Sequence, residues 1–296
     1  MSDDLEKAKP KHGGRKGLLP DRHRNRDFFI ADLVDYAMKD DGASMEAPIF
    51  SLSTKPDLTQ WEWKSKDGDR VVTVTPSVLG RATQFDKDVL IYLVSQMTEA
   101  LNRGRGDAGN RTVRFTVYDY LVATNKPTGG NQYQRLETAL DRLLGTTIKT
   151  NIKTGGVRIK EAFGIIDRWR IVEKSSTDER MIAVEVVFSE WLNNAVQKHE
   201  VLTINKDYFR LRKPLERRIY ELARKHAGYQ YSWIISMALL YEKSGSQAGL
   251  KEFKRMLKDI AEADTIPDYK IVIDGERVLV VPRPVAPGSS YHPPMR

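Results

Sequence analysis

The chain has 296 residues, 30% charged and 40% apolar, which is a globular composition at a length that favours two domains. A net charge of +8 and an isoelectric point near 9.4 point to an anionic partner, and nucleic acid and an anionic membrane surface fit equally well. Cysteine is absent, which excludes disulfides and thiolate metal sites, and no apolar run reaches the ~18 residues of a membrane span.

The N-terminal MSDDLEKAKPKHGGRKG lacks the apolar core of a signal peptide, so a soluble, cytoplasmic protein is expected. Residues 1–26 are polar and rich in Lys, Arg and Gly, and are expected to form a mobile basic arm. Its Gly13–Gly17 stretch suits a minor groove, although a solvated tail would read the same way. Asp27–Met38 places apolar residues at helical spacing and predicts a short amphipathic helix. An acidic, Gly-containing break follows at Lys39–Ala43, then extended segments around Pro48–Leu52 and Gln60–Lys64 and a strand at Val71–Pro76. Asp86–Asn102 predicts a long helix stopped by the loop RGRGDAGNR.

Thr112–Val117 alternates like a strand, and a short helix is expected around Tyr118–Ala123. Asn125–Gly130 is turn sequence, after which Gly129-Gly130-Asn131 opens a helix striped by Tyr133, Leu136, Leu140 and Leu143 and closed by Gly145. Thr146–Lys153 and Val157–Glu161 flank Thr154-Gly155-Gly156 as a hairpin, the expected wing beside that helix. Helix, strand, helix, turn, helix, hairpin is the order of a winged helix-turn-helix domain.

The order recurs. Leu215–His226 is an amphipathic helix, Tyr231–Leu240 resembles Phe115–Thr124, and Glu242–Gly249 is a polar turn. A helix follows with the stripe Leu250, Phe253, Leu257, Ile260. Tyr133 to Leu250 and Leu143 to Ile260 are both 117 residues apart, so the stripe repeats although the residue identities do not. A hairpin turned on Asp274-Gly275 completes the second copy. The expected fold is α+β: two tandem winged helix-turn-helix domains with a basic N-terminal arm. The boundaries are 1–60 for the arm, short helix and extended linker, 61–198 and 199–284 for the domains, and 285–296 for a Pro-rich tail.

Catalytic signals are missing. No GxxxxGK[ST] loop is present, and the five histidines are scattered without metal-ligand spacing, so neither a P-loop ATPase nor a metal-dependent nicking enzyme is expected. No cofactor and no enzymatic activity are expected.

The polar faces of the two third helices carry the remaining information. In the first copy, Asn131, Gln134, Arg135, Thr138 and Arg142 lie off the apolar stripe. Arg pairs bidentately with guanine and Asn or Gln with adenine, so this face suits a major groove, although any solvated helix face is polar. The second copy offers Gln247, Lys251, Lys254, Arg255 and Lys258 beside Glu252. The expected wing residues Lys149, Lys153, Arg158 and Lys160 would follow the phosphate backbone. Arg212, Lys213 and Arg217, with Arg210 and Arg218, lead into the second copy's first helix, where phosphates commonly bind. Arg217 and Arg218 could equally pair with Glu216 and Glu221.

Several ordered segments resemble plasmid replication initiator proteins of the replication-initiator-protein-A type, related to iteron-binding initiators. They are Leu19–Phe29 (LPDRHRNRDFF), Ser44–Leu52, Thr75–Tyr92, GGNQYQRLETALDRLLGTTIKT, Phe163–Ile171 and Leu211–Gly228. The resemblance implies two winged-helix domains that bind double-stranded DNA at direct repeats in a plasmid origin. It also implies opening of adjacent AT-rich DNA, recruitment of host helicase-loading factors, dimerisation through the first domain and a bacterial cytoplasmic location, with no nucleotide of the protein's own. In related initiators the second domain dominates site recognition. The alternatives are a winged-helix transcriptional repressor on a palindromic operator, a nicking enzyme, and a membrane-surface protein.

Overall fold

The computed structural model describes residues 17–22, 38–65, 68–106, 108–151, 161–175, 178–228 and 230–284. In chain order the elements are β1 (Lys39–Asp41), α1 (Gly42–Glu46), β2 (Trp61–Lys64), β3 (Val71–Thr75), α2 (Lys87–Asn102), β4 (Thr112–Phe115), α3 (Val117–Ala123) and α4 (Gln132–Gly145). They continue with β5 (Thr147–Thr150), β6 (Glu161–Gly164), β7 (Ile166–Ser175), β8 (Asp178–Phe188), α5 (Glu190–Gln197) and β9 (Val201–Thr203). A 3-10 turn at Lys206–Arg210 leads to α6 (Pro214–His226), β10 (Trp233–Ser236), α7 (Met237–Ser244), α8 (Leu250–Ala263), β11 (Tyr269–Asp274) and β12 (Arg277–Pro282).

Two winged helices are present. In the second, α6, β10, α7 and α8 precede the β11–β12 hairpin, and β10 joins through β12 to give the order β10-β12-β11. In the first, α2, β4, α3 and α4 are followed by β7–β8, and the order β4-β8-β7 is the same. The repeated stripe is what buries each third helix: Leu136, Leu140 and Leu143 of α4 and Phe253, Leu257 and Ile260 of α8 are all at most 3% exposed. Each such side chain contributes about 1.5–3 kcal/mol by burial. The strand-to-helix corner is also repeated. Thr116 caps α3 by accepting from the Asp119 amide at 3.1 Å, and Ser236 caps α7 through Leu239 at 3.2 Å.

The wing of the first copy lies elsewhere than expected. β5 and β6 do pair, but β5 also pairs with β3, and they form a separate four-stranded sheet ordered β2-β3-β5-β6. The wing is β7–β8, the hairpin that β4 joins. A glycine turn specifies that two neighbouring strands meet; it does not specify which other strands complete their sheet. Lys149 is therefore an exposed residue of this added sheet, opposite Thr73, and Lys153, Arg158 and Lys160 lie outside the described residues. In the second copy the two-residue turn is Gly275-Glu276, since Asp274 and Arg277 are still paired.

The N-terminal third does more than precede the domains. The expected break at Lys39–Ala43 holds β1, which pairs with β9, and the start of α1, and the predicted helix Asp27–Met38 lies outside the described residues except Met38. Gly17–Arg22 is docked on the body: Leu19 and Arg210 exchange hydrogen bonds of 2.9 and 2.7 Å, and Asn125 receives one from the Arg22 amide at 2.9 Å and gives one to the Pro20 carbonyl at 3.0 Å. This run ties the second module to the first. Ser51–Asp57 forms a strap closed on itself by Ser51 Oγ donating to Asp57 at 2.7 Å. Glycines let both ends seat. A Cβ on Gly245 (φ +69°) would lie 2.5 Å from Pro48, and one on Gly80 (φ +90°) 2.8 Å from the Asp57 nitrogen.

A buried ionic cluster joins the modules. α2 and α6 are buried almost all round, polar residues included. Lys87 lies 2.7 Å from Asp40 and 3.1 Å from Glu221, and Glu221 also accepts from Tyr208 at 2.8 Å and pairs with Arg218 at 3.2 Å. Arg218 donates to the carbonyls of Met45, Glu46 and Lys243 at 2.9, 3.0 and 2.8 Å. Arg217 pairs with Asp88, which Lys126 also meets at 2.6 Å. Glu46 is held from the other side. Burial raises its pKa, but hydrogen bonds from His226 and Lys243 outweigh this and hold it well below the usual carboxylate range.

Two expectations follow. Arg217→Ala leaves the buried Asp88 with Lys126 alone and should lower stability by about 3–5 kcal/mol in urea titration; a change near zero would remove Asp88–Arg217 from the account of the junction. Because the folded pKa of Glu46 is depressed, its contribution is full above its unfolded value and is lost as the pH falls through the folded one. Wild type should therefore lose stability progressively below about pH 4.3, and Glu46→Gln should lose less over that range. Parallel acid-unfolding curves would contradict this.

Candidate nucleic-acid interface

The third helix of a winged-helix module is the element shaped to enter a major groove, so its solvent face is where a site must be built. On α4 the expected face is presented. Asn131 stands at the helix N-cap position, just ahead of Gln132 where the helix begins, and Asn131, Gln134, Arg135 and Thr138 are all exposed. The Thr138 hydroxyl donates back to the Gln134 carbonyl at 2.9 Å. Among the described residues no acid pairs with Arg135.

Arg142 is different. Its Nε and Nη2 hold Asp86 at 2.7 and 2.6 Å, and these hydrogen bonds raise its pKa further. It anchors α4 to the start of α2 and is withdrawn from base reading.

On α8 the cations are present but largely neutralised. Arg255 is clasped by Glu252 at 2.6 Å and Asp259 at 2.9 Å, Lys254 by Glu276 at 2.5 Å, and Lys258 faces Glu262 at 3.6 Å. Of the four expected helix cations, Lys251 alone has no ion pair among the described residues. The acids that neutralise Arg255 and Lys258 lie at i−3 and i+4 on the same helix face, while Glu276 of the β11–β12 turn takes Lys254. Gln247 precedes α8 by three residues and donates to Asp57 of the strap at 3.3 Å, so it belongs to the inter-module contact.

Before α6, Arg212 and Lys213 are exposed, and their backbone amides are capped by the Glu216 carboxylate at 3.1 and 3.0 Å. Arg217 is 2% exposed, and its guanidinium lies between Phe85 at 4.6 Å and Tyr208 at 5.1 Å. Both Arg217 and Arg218, also 2% exposed, are structural rather than phosphate-binding. Arg218 takes Glu221, as the sequence allowed, while Arg217 takes Asp88 in place of Glu216.

The α4 face borders a cleft of about 810 Å³ whose charged lining is seven cations and one acid, Asp86. Four of the cations, Arg81, Lys126, Arg142 and Arg217, are in ion pairs. Arg22, Lys55 and Arg135 have no ion pair among the described residues, so the cleft is a focus of uncompensated positive charge. Arg22 and Lys55 were missed from sequence because no local pattern sets them beside α4. A second cleft of about 520 Å³ runs along α8, past Arg255 and Met256, to the same strap.

Fold and surface together define a tandem winged-helix protein with a basic cleft on its first third helix. Residues 39–271 match the family described as Replication initiator protein A, and the chain belongs to that family. It is 36% identical over 262 residues, covering 87% of this chain and 93% of the other, to a protein of Wigglesworthia glossinidia brevipalpis that carries the provisional name replication protein. Among solved structures it is similar to domains 2 and 3 of RctB, at a TM-score of 0.58 and 12% identity over 81% of this chain and 97% of that one. It is also similar to the Pi initiator protein in complex with iteron DNA, at a TM-score of 0.46 and 16% identity over 68% of this chain and 92% of that one.

The charge pairing predicts a ranking of the two helices opposite to the expected one. Arg135→Ala should cost about 1–3 kcal/mol of affinity for a specific duplex, while Arg255→Ala should leave it nearly unchanged because its guanidinium is already engaged. Isothermal titration of both variants checks this; a larger loss at Arg255 would return recognition to α8.

Proposed function

We propose that this replication initiator is a sequence-specific double-stranded DNA-binding protein that recognises direct repeats in a plasmid origin. The observation that carries the reading is the arrangement of two winged helices within one chain, the first presenting exposed Asn131, Gln134, Arg135 and Thr138 beside an uncompensated basic cleft. Asn, Gln and Arg can hold adenine and guanine bidentately, and the cleft's cations supply the salt-dependent phosphate attraction.

Two third helices held in successive major grooves would span about 20 bp. A chain holding two unlike modules in fixed succession has a direction, and a direct repeat suits it better than a palindrome. Bending a site of that length costs on the order of 1–6 kcal/mol, which added phosphate contacts can offset. Copies on adjacent repeats would accumulate that strain and favour melting of neighbouring AT-rich DNA, after which host helicase-loading factors would be recruited. In this reading the protein acts by binding and deformation, with dimerisation through the first module in a repressing form.

Selection of bound duplexes from a random pool at physiological salt should enrich one asymmetric motif of about 20 bp. Permanganate should then report unpaired thymines beside an array of that motif on supercoiled DNA. A palindrome would favour a repressor, and enrichment without permanganate reactivity would leave site binding but remove the opening step.

A further inference from the structure

The strap between the two third helices has no part in either winged helix, yet it is built to present a tip. Ser51 and Asp57 close it, and Asp57 accepts from Arg81 Nη2 at 2.9 Å and from Gln247 Nε2 at 3.3 Å, so residues from both modules hold its base. The Ser51 amide and carbonyl bond to Ala82 and Gln84 at 2.9 and 3.0 Å, and the Asp57 carbonyl accepts from Arg81 at 2.8 Å. Within the tip, Ser53 Oγ accepts from the Lys55 amide at 3.1 Å. Thr54, Lys55 and Pro56 are left exposed. Ser53 lines both the α4 cleft and the α8 cleft, which places the strap between the two third helices.

Beside the strap, the turn Ser77–Gly80 closes on Ser77 and presents two apolar side chains, Val78 (93% exposed) and Leu79 (43% exposed). Leu79 lines the α4 cleft together with Lys55 and Arg22. Neither cation has an ion pair among the described residues. A solvated surface turn does not need this combination of apolar tip, unpaired cations and a base fixed from two modules.

We propose that strap and turn form a third DNA-contacting element. Lys55 and Arg22 would bind backbone phosphates, and Leu79 would face the minor groove that separates the two major grooves entered by α4 and α8. This rests on the DNA-binding reading above. The geometrical reason is general: on one side of a duplex, successive major grooves are separated by a minor groove. An element fixed between two major-groove helices therefore meets that minor groove and its flanking phosphates. Apolar side chains at such a place widen or unstack base steps, and cations beside them hold the displaced backbone. The strap thus gives the protein a point at which to deform the centre of its site without reading it.

The test uses the full chain, with Lys55→Ala, Leu79→Ala and Arg135→Ala compared on a random-sequence duplex of about 20 bp and on the selected duplex. Lys55→Ala should weaken binding to both about five-fold at physiological salt and lower the salt slope by about one unit. Ethylation interference at the central phosphates of the selected duplex should also disappear. Leu79→Ala should reduce the DNA bend angle seen by circular permutation. Thermal melting should be unmoved by Lys55→Ala, since only the backbone of Lys55 holds the tip.

If Lys55→Ala changes neither slope nor interference while Arg135→Ala still weakens specific binding, the strap proposal falls and the DNA reading stands. A wild type that binds neither duplex in a salt-dependent way overturns the DNA reading and the strap together. An unchanged bend angle in Leu79→Ala would overturn the apolar contact and leave Lys55 as a phosphate contact only.

Discussion

Everything else in this molecule is arranged around the N-terminus of α2, where two acids, Asp86 and Asp88, sit two residues apart and are claimed from different directions. Asp86 is held by Arg142 of α4, and Asp88 by Arg217 of α6 and Lys126 of the loop before α4. A helix N-terminus favours negative charge, but here the carboxylates are buried and need partners as well. The result is that one turn of helix fixes both the third helix of the first module and the first helix of the second. Asp40, Lys87, Glu221 and Arg218 extend the cluster to β1 and α1.

Such a cluster is a poor source of net stability, because the desolvation of several charges offsets much of their attraction. Its geometry is what matters. Apolar surfaces slide past one another at small cost, whereas a guanidinium held by Met45, Glu46, Lys243 and Glu221 has one orientation. A protein that must place two helices in a defined relation to DNA gains from a junction of this kind. Docking of Gly17–Arg22 across Arg210 and Asn125 reinforces it at the surface.

The parts legible in the sequence were those set by local period. The stripe repeated at an offset of 117 gives two third helices, and the structure buries Leu136 with Phe253, Leu140 with Leu257 and Leu143 with Ile260 at that same offset. What failed depended on long-range partners. The Gly155-Gly156 turn announced a hairpin, but β5 found β3 some seventy residues earlier, and the wing proved to be β7–β8. Arg217 and Arg218 lie on the polar side of an amphipathic helix and so read as exposed; α2 covers the first through Asp88 and α1 the second through its carbonyls. On α8 the acids were visible in sequence, yet the pairing of Arg255 with both Glu252 and Asp259 emerges only when rotamers are fixed.

The two modules therefore share a scaffold and differ in what they leave free. On α8, Lys254, Arg255 and Lys258 are already paired, which lowers the attraction of that helix for any polyanion. On α4, Arg135 has no ion pair among the described residues, and it stands at the rim of a cleft with Arg22 and Lys55, of which the same holds. In the proposed reading α4 and its cleft carry both the phosphate attraction and the base contacts, while Arg255 stays with Glu252 and Asp259. The junction holds the two third helices at one spacing, so in that reading a site is selected by spacing as well as by sequence.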